Sequence, residues 1–264
     1  MSLCDNCSVT KLDTIVITGA GRGIGKAAAL QLAGTGARIL CISQSANAAE
    51  TAGLINAESL VLDLADYANA ESSVTEWINQ HSGQRIGVVL AAAILGASGP
   101  LIDTDLTTWD LAYRIGVLGN LAVLKALLPR MTEARFGRIA AFAGGGSAYA
   151  NPIFPAYAAS KTAVVRVIEN LHEDLKDKGD FAAVCLSPGA VETDMLKEFR
   201  SAGGYVRTAA KMEEPVNFLE RFLTSDSCGF SGCFVHVRDS YAHLLNTGER
   251  IASDSLWKLR RIEQ

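Results

Sequence analysis

Charge is scarce in this chain. Asp, Glu, Lys and Arg make up 20% of its 264 residues and sum to −4 at pH 7 with neutral histidines. Nonspecific nucleic-acid binding needs a basic field, so that partner class is excluded. Unbroken apolar runs near the ~20 residues of a membrane-spanning helix are also missing, and no membrane partner is expected. The N-terminus, MSLCDNCSVTKLD, is polar and lacks the charged-then-apolar order of a secretory leader, which predicts a cytoplasmic protein.

Metal and disulfide frameworks are lacking too. The six cysteines stand singly apart from Cys4/Cys7 and Cys228/Cys233. No second pair at metal-ligand spacing accompanies Cys4-x-x-Cys7, so reduced thiols are expected and no metal site. None of the four histidines, His81, His172, His236 and His243, has a ligand-spaced partner. The absence of Gly-x-Ser-x-Gly excludes the nucleophile elbow of serine hydrolases. With six prolines, no repeat and no Pro/Ser-rich linker, residues 1–264 read as one domain with residues 1–11 flexible.

What is present is an apolar chain, 49% hydrophobic, in which short β-branched runs alternate with longer helical patterns. Strands are expected at Asp13–Thr18, Arg38–Ser43, Ser59–Leu62, Ile86–Ala91, Gly137–Ala143, Ala182–Leu186 and Cys233–Val237. Helices are expected at Gly23–Ala33, Asp66–His81, Thr108–Met131 and Pro155–Lys178. This alternation predicts a doubly wound α/β fold of the Rossmann type, a seven-stranded parallel sheet with helices on both faces. Several strands show no polar alternation, as burial on both faces requires.

The first strand runs straight into Thr18-Gly19-Ala20-Gly21-Arg22-Gly23-Ile24-Gly25 and then a helix. Glycines there let backbone N–H groups approach a pyrophosphate, and the helix N-terminus favours the anion. Further on stands Tyr157-Ala158-Ala159-Ser160-Lys161. Residues four apart on a helix share a face, so the phenol and the ammonium can point into one cleft. A neighbouring cation is expected to pull the tyrosine pKa down from its usual ~10.

Thr-Gly-x-x-x-Gly-x-Gly followed by Tyr-x-x-x-Lys resembles the short-chain dehydrogenase/reductase family, and the resemblance runs over nearly the whole chain. It implies an oxidoreductase that interconverts a carbonyl and a secondary alcohol by hydride transfer, with Tyr157 as acid/base and Lys161 as its partner. It implies that Gly19, Gly21, Arg22, Gly23, Ile24 and Gly25 hold the dinucleotide with Asp63 and Leu64, Ala91, Pro188 and Gly189, and Val191 and Thr193 of the Pro-Gly-x-x-x-Thr segment. The position that would carry an acid in NAD-dependent members is Ser43, and Arg22 can reach a 2′-phosphate; NADP(H) is therefore expected to be preferred, with NAD(H) possible.

The chain also departs from that pattern. Gly144 stands where the family carries a serine, and Gly116 where it carries an asparagine. Asn-Asn-Ala-Gly is replaced by Ala91-Ala92-Ala93-Ile94, and a late glycine pair by Arg238-Asp239. Ser147 is a candidate substitute donor to the substrate oxygen, and Asn120, one helical turn beyond Gly116, a candidate to hold the relay water. The alternative reading is a catalytically weakened dinucleotide-binding sensor or interaction subunit. Residues 192–208 read as a substrate lid, whose Lys197, Arg200 and Arg207 can meet an anionic substrate group; with the polar Gly144–Ser147 loop this basic lid suggests a polar, sugar-like substrate. Leu118, Leu121, Ala122, Leu124, Leu127 and Leu128, with Val164, Val165, Val167 and Ile168, make helices 108–131 and 155–178 apolar on more than one face. A homodimer or homotetramer through these two helices is expected.

Overall fold

The computed structural model describes residues 11–206, 209–225, 230–248, 251 and 257–260. Cys4, Cys7, most of the expected flexible lead, Arg207 of the lid and Cys228 lie outside the described residues. The other three cysteines, Cys41, Cys185 and Cys233, are free and buried.

Among the described residues, seven strands form one parallel sheet: β1 (Thr14–Thr18), β2 (Arg38–Ser43), β3 (Glu58–Val61), β4 (Ile86–Leu90), β5 (Phe136–Phe142), β6 (Asp180–Ser187) and, last in the chain, β9 (Cys233–His236). Their order is β3-β2-β1-β4-β5-β6-β9. A separate parallel pair joins β7 (Ala190–Val191) to β8 (Ala209–Ala210). The sheet matches the expected fold. β1, β4 and β5 are buried at every position, which explains their unbroken apolar character.

Alternation along the strands sorts the core into two layers. Ile15, Ile17, Cys41 and Val89 face α1 (Gly23–Leu32), α2 (Asn47–Leu54) and α8 (Glu213–Thr224). Val16, Ile42, Val88 and Ile139 face α3 (Tyr67–Asn79), α5 (Asn120–Glu133) and α6 (Pro155–Leu175). A helix α7 (Asp194–Ser201) follows β7, and α9 (Tyr241–Asn246) follows β9.

The helix expected at Thr108–Met131 is longer and interrupted. It comprises α4 (Leu106–Tyr113), a π-helical turn (Arg114–Gly119) and α5, 28 residues in all. By length and composition it could cross a bilayer, although no unbroken apolar run marks it; more than half of its most apolar window is buried in the fold. Single π-turns inside α-helices concentrate at functional sites, and this one contains Gly116.

Because β1 lies between β2 and β4, the connections on its two sides leave in opposite directions. A crevice opens at such a switch point beyond the C-terminal strand ends. The β1–α1 glycine turn stands there.

Candidate functional site

The glycine turn fits a dinucleotide because side chains would not fit it. Gly19 has φ +67°, and a Cβ there would stand 2.9 Å from the Ala92 nitrogen. A Cβ on Gly25 would overlap the Gly19 carbonyl, so α1 can start directly against the turn only with glycine at both places. The turn is pinned to β4 through Thr18, whose Oγ1 accepts from the Ala91 and Ala92 amides at 3.0 and 3.2 Å. The Ala91-Ala92 backbone thus braces the turn without the polar side chains of the family pattern.

The other expected cofactor residues converge on this edge. Positions around Gly21 touch Ser43 and Asn47, and Gly23 lies against Thr193, whose Cγ2 would be 3.5 Å from a Cβ. Arg22 is the exposed N-cap of α1. The Ser43 hydroxyl donates to the Ser45 carbonyl at 2.8 Å. Ile24 and Ala91 pack on the α1 side of the core. Asp63 accepts from the Ala65 amide, and Leu64 is buried against Gly119. Pro188 is buried and Gly189 turns with φ +71°; Val191 pairs with Ala210, and Thr193 caps α7 through the Leu196 amide. Arg238-Asp239 forms a tight turn instead of a glycine pair: Asp239 accepts from the His236 amide at 2.7 Å.

Tyr157 and Lys161 occupy successive turns of α6 and are 9% and 3% exposed. The Lys161 ammonium donates to the Phe142 carbonyl at 2.9 Å and lies 5.8 Å from the Tyr157 ring centroid. Burial pushes the Tyr157 phenol up to about 12 and Lys161 down to about 8. The expected lowering of the tyrosine by its neighbour is therefore not met in the free protein. Desolvation outweighs a cation that is itself turned to a carbonyl.

Gly144 leaves no room for the missing serine, because the Tyr157 phenol lies against its α-carbon. Ser147 is buried and not solvated; its Oγ accepts from the Gly144 amide at 3.0 Å, while its own amide donates to the Gly144 carbonyl. The loop is thus closed into a turn, with the Ser147 carbonyl held by Thr162 at 3.2 Å.

Asn120 is bound to backbone and side chain on both sides. Its Oδ1 accepts from the Thr18 hydroxyl at 2.6 Å, and its Nδ2 faces the carbonyls of Ala92, Ile115 and Gly116 at 3.0–3.1 Å. It clamps the π-turn to the ends of β1 and β4. Beside it a cavity of about 10 Å³, room for a single water, is lined by Gly116, Asn120, Ala141 and Lys161.

The expected lid contains structure that its composition hid. Thr193 caps α7, and Met195 and Phe199 on its inner face pack on Leu95, Phe154 and Tyr157. Phe154 and Phe199 stand 6.0 Å apart. The charges are paired among themselves, Lys197 with Asp194 at 2.9 Å and Arg200 with Glu192 at 2.7 Å. Sequence reasoning missed Phe154 and Phe199; the spacing of Met195, Leu196 and Phe199 was the available signal.

Residues 13–203 match the family model of short chain dehydrogenases. A short chain dehydrogenase of Pseudocercospora fijiensis is 28% identical over 69% of this chain and 60% of its own length, so the match spans less than two thirds of that relative. A 3-oxoacyl-acyl-carrier-protein reductase of Aggregatibacter actinomycetemcomitans is 32% identical, over 70% of this chain and 79% of the relative. Among solved structures, a candidate NAD(P) dependent gluconate 5-dehydrogenase from Beutenbergia cavernae, with NADP bound at low occupancy, superposes with a TM-score of 0.79 at 26% identity over 89% of this chain and 98% of that one.

Proposed function

The chain belongs to the short chain dehydrogenases, oxidoreductases that work between CH–OH and C=O with a nicotinamide dinucleotide, and on that footing we propose an NADP(H)-preferring enzyme in which Tyr157 is the acid/base and Lys161 its partner. The observation that carries the reading is the buried Tyr157–Lys161 pair on α6, at the same sheet edge as the glycine turn.

A bound nicotinamide supplies the hydride in reduction and accepts it in oxidation. The substrate oxygen takes the Tyr157 hydroxyl proton as its carbon gains the hydride, and the phenolate then recovers a proton from water; oxidation runs in reverse. Lys161 holds the nicotinamide ribose hydroxyls and favours the phenolate once its charge is turned toward it. Gly19, Gly21, Gly23, Ile24 and Gly25 cradle the pyrophosphate, and Arg22 with Ser43 meets the 2′-phosphate. Asp63 and Leu64 flank the adenine, while Ala91, Pro188, Gly189, Val191 and Thr193 line the rest of the site. Residues 192–208 cover the substrate. The helix 108–131, which exposes Leu111 and Leu118, and the helix 155–178 join two or more copies.

A second reading rests on Gly144 and Gly116. Loss of one preorganised donor typically costs about 100- to 1000-fold in turnover, which favours a weakened catalyst or dinucleotide-binding subunit.

Paired fluorescence titrations with NADPH and NADH test the cofactor assignment, and NADPH should bind about 10-fold tighter. Tyr157→Phe should lower turnover at least ~100-fold with both dinucleotides still bound. Equal turnover by variant and wild type would sink the acid/base assignment. Failure of wild type to bind either dinucleotide would put the interaction subunit ahead.

A further inference from the structure

The acid/base group of this site is enclosed by apolar side chains. Leu95 and Phe154 are 4% and 2% exposed, and with Tyr157 they form a small core of their own. Ala93, Ile153, Met195 and Phe199 pack on it from three segments, the loop after β4, the turn before α6, and α7. The α7 segment folds back on itself: a Cβ on Gly204 would meet the Phe199 ring, and the Gly204 amide donates to the Phe199 carbonyl at 2.9 Å.

The described basic residues beside this surface are paired or turned to backbone. Lys197 and Arg200 are held by Asp194 and Glu192. Lys161 is turned to the Phe142 carbonyl. Gly145, next to Gly144, is exposed, and a Cβ there would enter open space. Exposed aromatics stand on both flanking segments, Tyr149 beyond the glycine loop and Tyr205 beyond α7, each 83% exposed. Among the described residues, this apolar cluster offers a charged or heavily hydroxylated substrate no fixed partner, and burying such groups unpaired is costly.

We propose that the substrate is an uncharged carbonyl compound, or the corresponding secondary alcohol, whose body beside the reacting carbon is apolar, and that Phe199 with Phe154 selects it. This rests on the assignment of Tyr157 as the acid/base group. It replaces the polar, sugar-like substrate that the basic residues of 192–208 and the Gly144–Ser147 loop suggested, because the two described basic residues are neutralised within the segment and Ser147 is bonded to the Gly144 amide.

The test is NADPH-dependent reduction, by the full chain, of cyclohexanone, 4-methylcyclohexanone, 4-ethylcyclohexanone and 4-oxocyclohexanecarboxylate. In an apolar pocket each added methylene should raise kcat/KM about 10-fold, and the carboxylate should trail the methyl ketone by at least ~100-fold. Phe199→Ser should erase the gain from the alkyl groups, and Phe199→Leu should restore most of it. A carboxylate reduced as well as the methyl ketone overturns the substrate class and leaves the oxidoreductase standing. Equal losses on all four ketones in Phe199→Ser overturn the role of Phe199. No turnover of any ketone by protein that binds NADPH brings down the Tyr157 assignment and this inference with it.

Discussion

The phenol of Tyr157 lies where a side chain on residue 144 would project: a Cβ built on Gly144 would stand 2.7 Å from Cζ and 2.8 Å from Cε1 of that ring. The loss of the family's serine is thus coupled to the seat of the tyrosine. Gly144→Ser is a test of this coupling. Forcing atoms into a packed site costs about 1–3 kcal/mol, so the variant should unfold at lower denaturant and turn over no faster than wild type. A Gly144→Ser protein of unchanged stability and higher turnover would show that the phenol has another seat and that the missing donor alone limits the wild type.

Lys161 makes stability depend on pH in a definite direction. Its pKa in the folded chain is about 8, against an ordinary value of 10.5. Below pH 8 both states hold the proton, and the folded state bears the full cost of a buried ammonium. Between 8 and 10.5 the unfolded chain binds more protons, so this contribution makes the fold more stable as pH rises. The shift corresponds to at most about 3 kcal/mol. Tyr157, raised from 10.0 to about 12, opposes this only above pH 10. Urea midpoints of the dinucleotide-free protein and of Lys161→Met, at pH 7 and pH 9.5, should show wild type gaining on the variant. A difference that stays flat would mean that the ammonium is solvated in the folded chain.

Legibility in the sequence followed distance along the chain. The glycine turn from Gly19 to Gly25 and the helical spacing of Tyr157 and Lys161 are local, and the structure brings both to one sheet edge. The strands were legible because burial on both faces leaves unbroken apolar runs. The segment after β7 was not, since Gly203-Gly204 and mixed charges resemble a loop, while the Phe199 ring packs back on Gly204. The pKa order of Tyr157 and Lys161 was hidden as well, because it follows from burial by helices and strands far away in sequence. The clamp made by Asn120 was not legible: its partner Thr18 lies 102 positions earlier, and only the packing of the π-turn onto β1 brings them together.

That clamp carries the last prediction. Asn120 is 4% exposed, and its amide serves Thr18 on one side and three carbonyls on the other. Asn120→Ala leaves buried groups without partners, each worth about 1–3 kcal/mol, so the loss should reach at least about 2 kcal/mol by urea unfolding with an unchanged slope. Thr18 also holds the Ala91 and Ala92 amides beside the glycine turn, so dinucleotide affinity should fall in the same variant. Thr18→Val should cost less by itself, and in the double variant the two losses should fall short of their sum by about 1 kcal/mol. Strict additivity would mean that Asn120 stabilises the π-turn alone and leaves the glycine turn to β4. A shortfall would tie the depth of the dinucleotide crevice to the helix that stands beside Lys161.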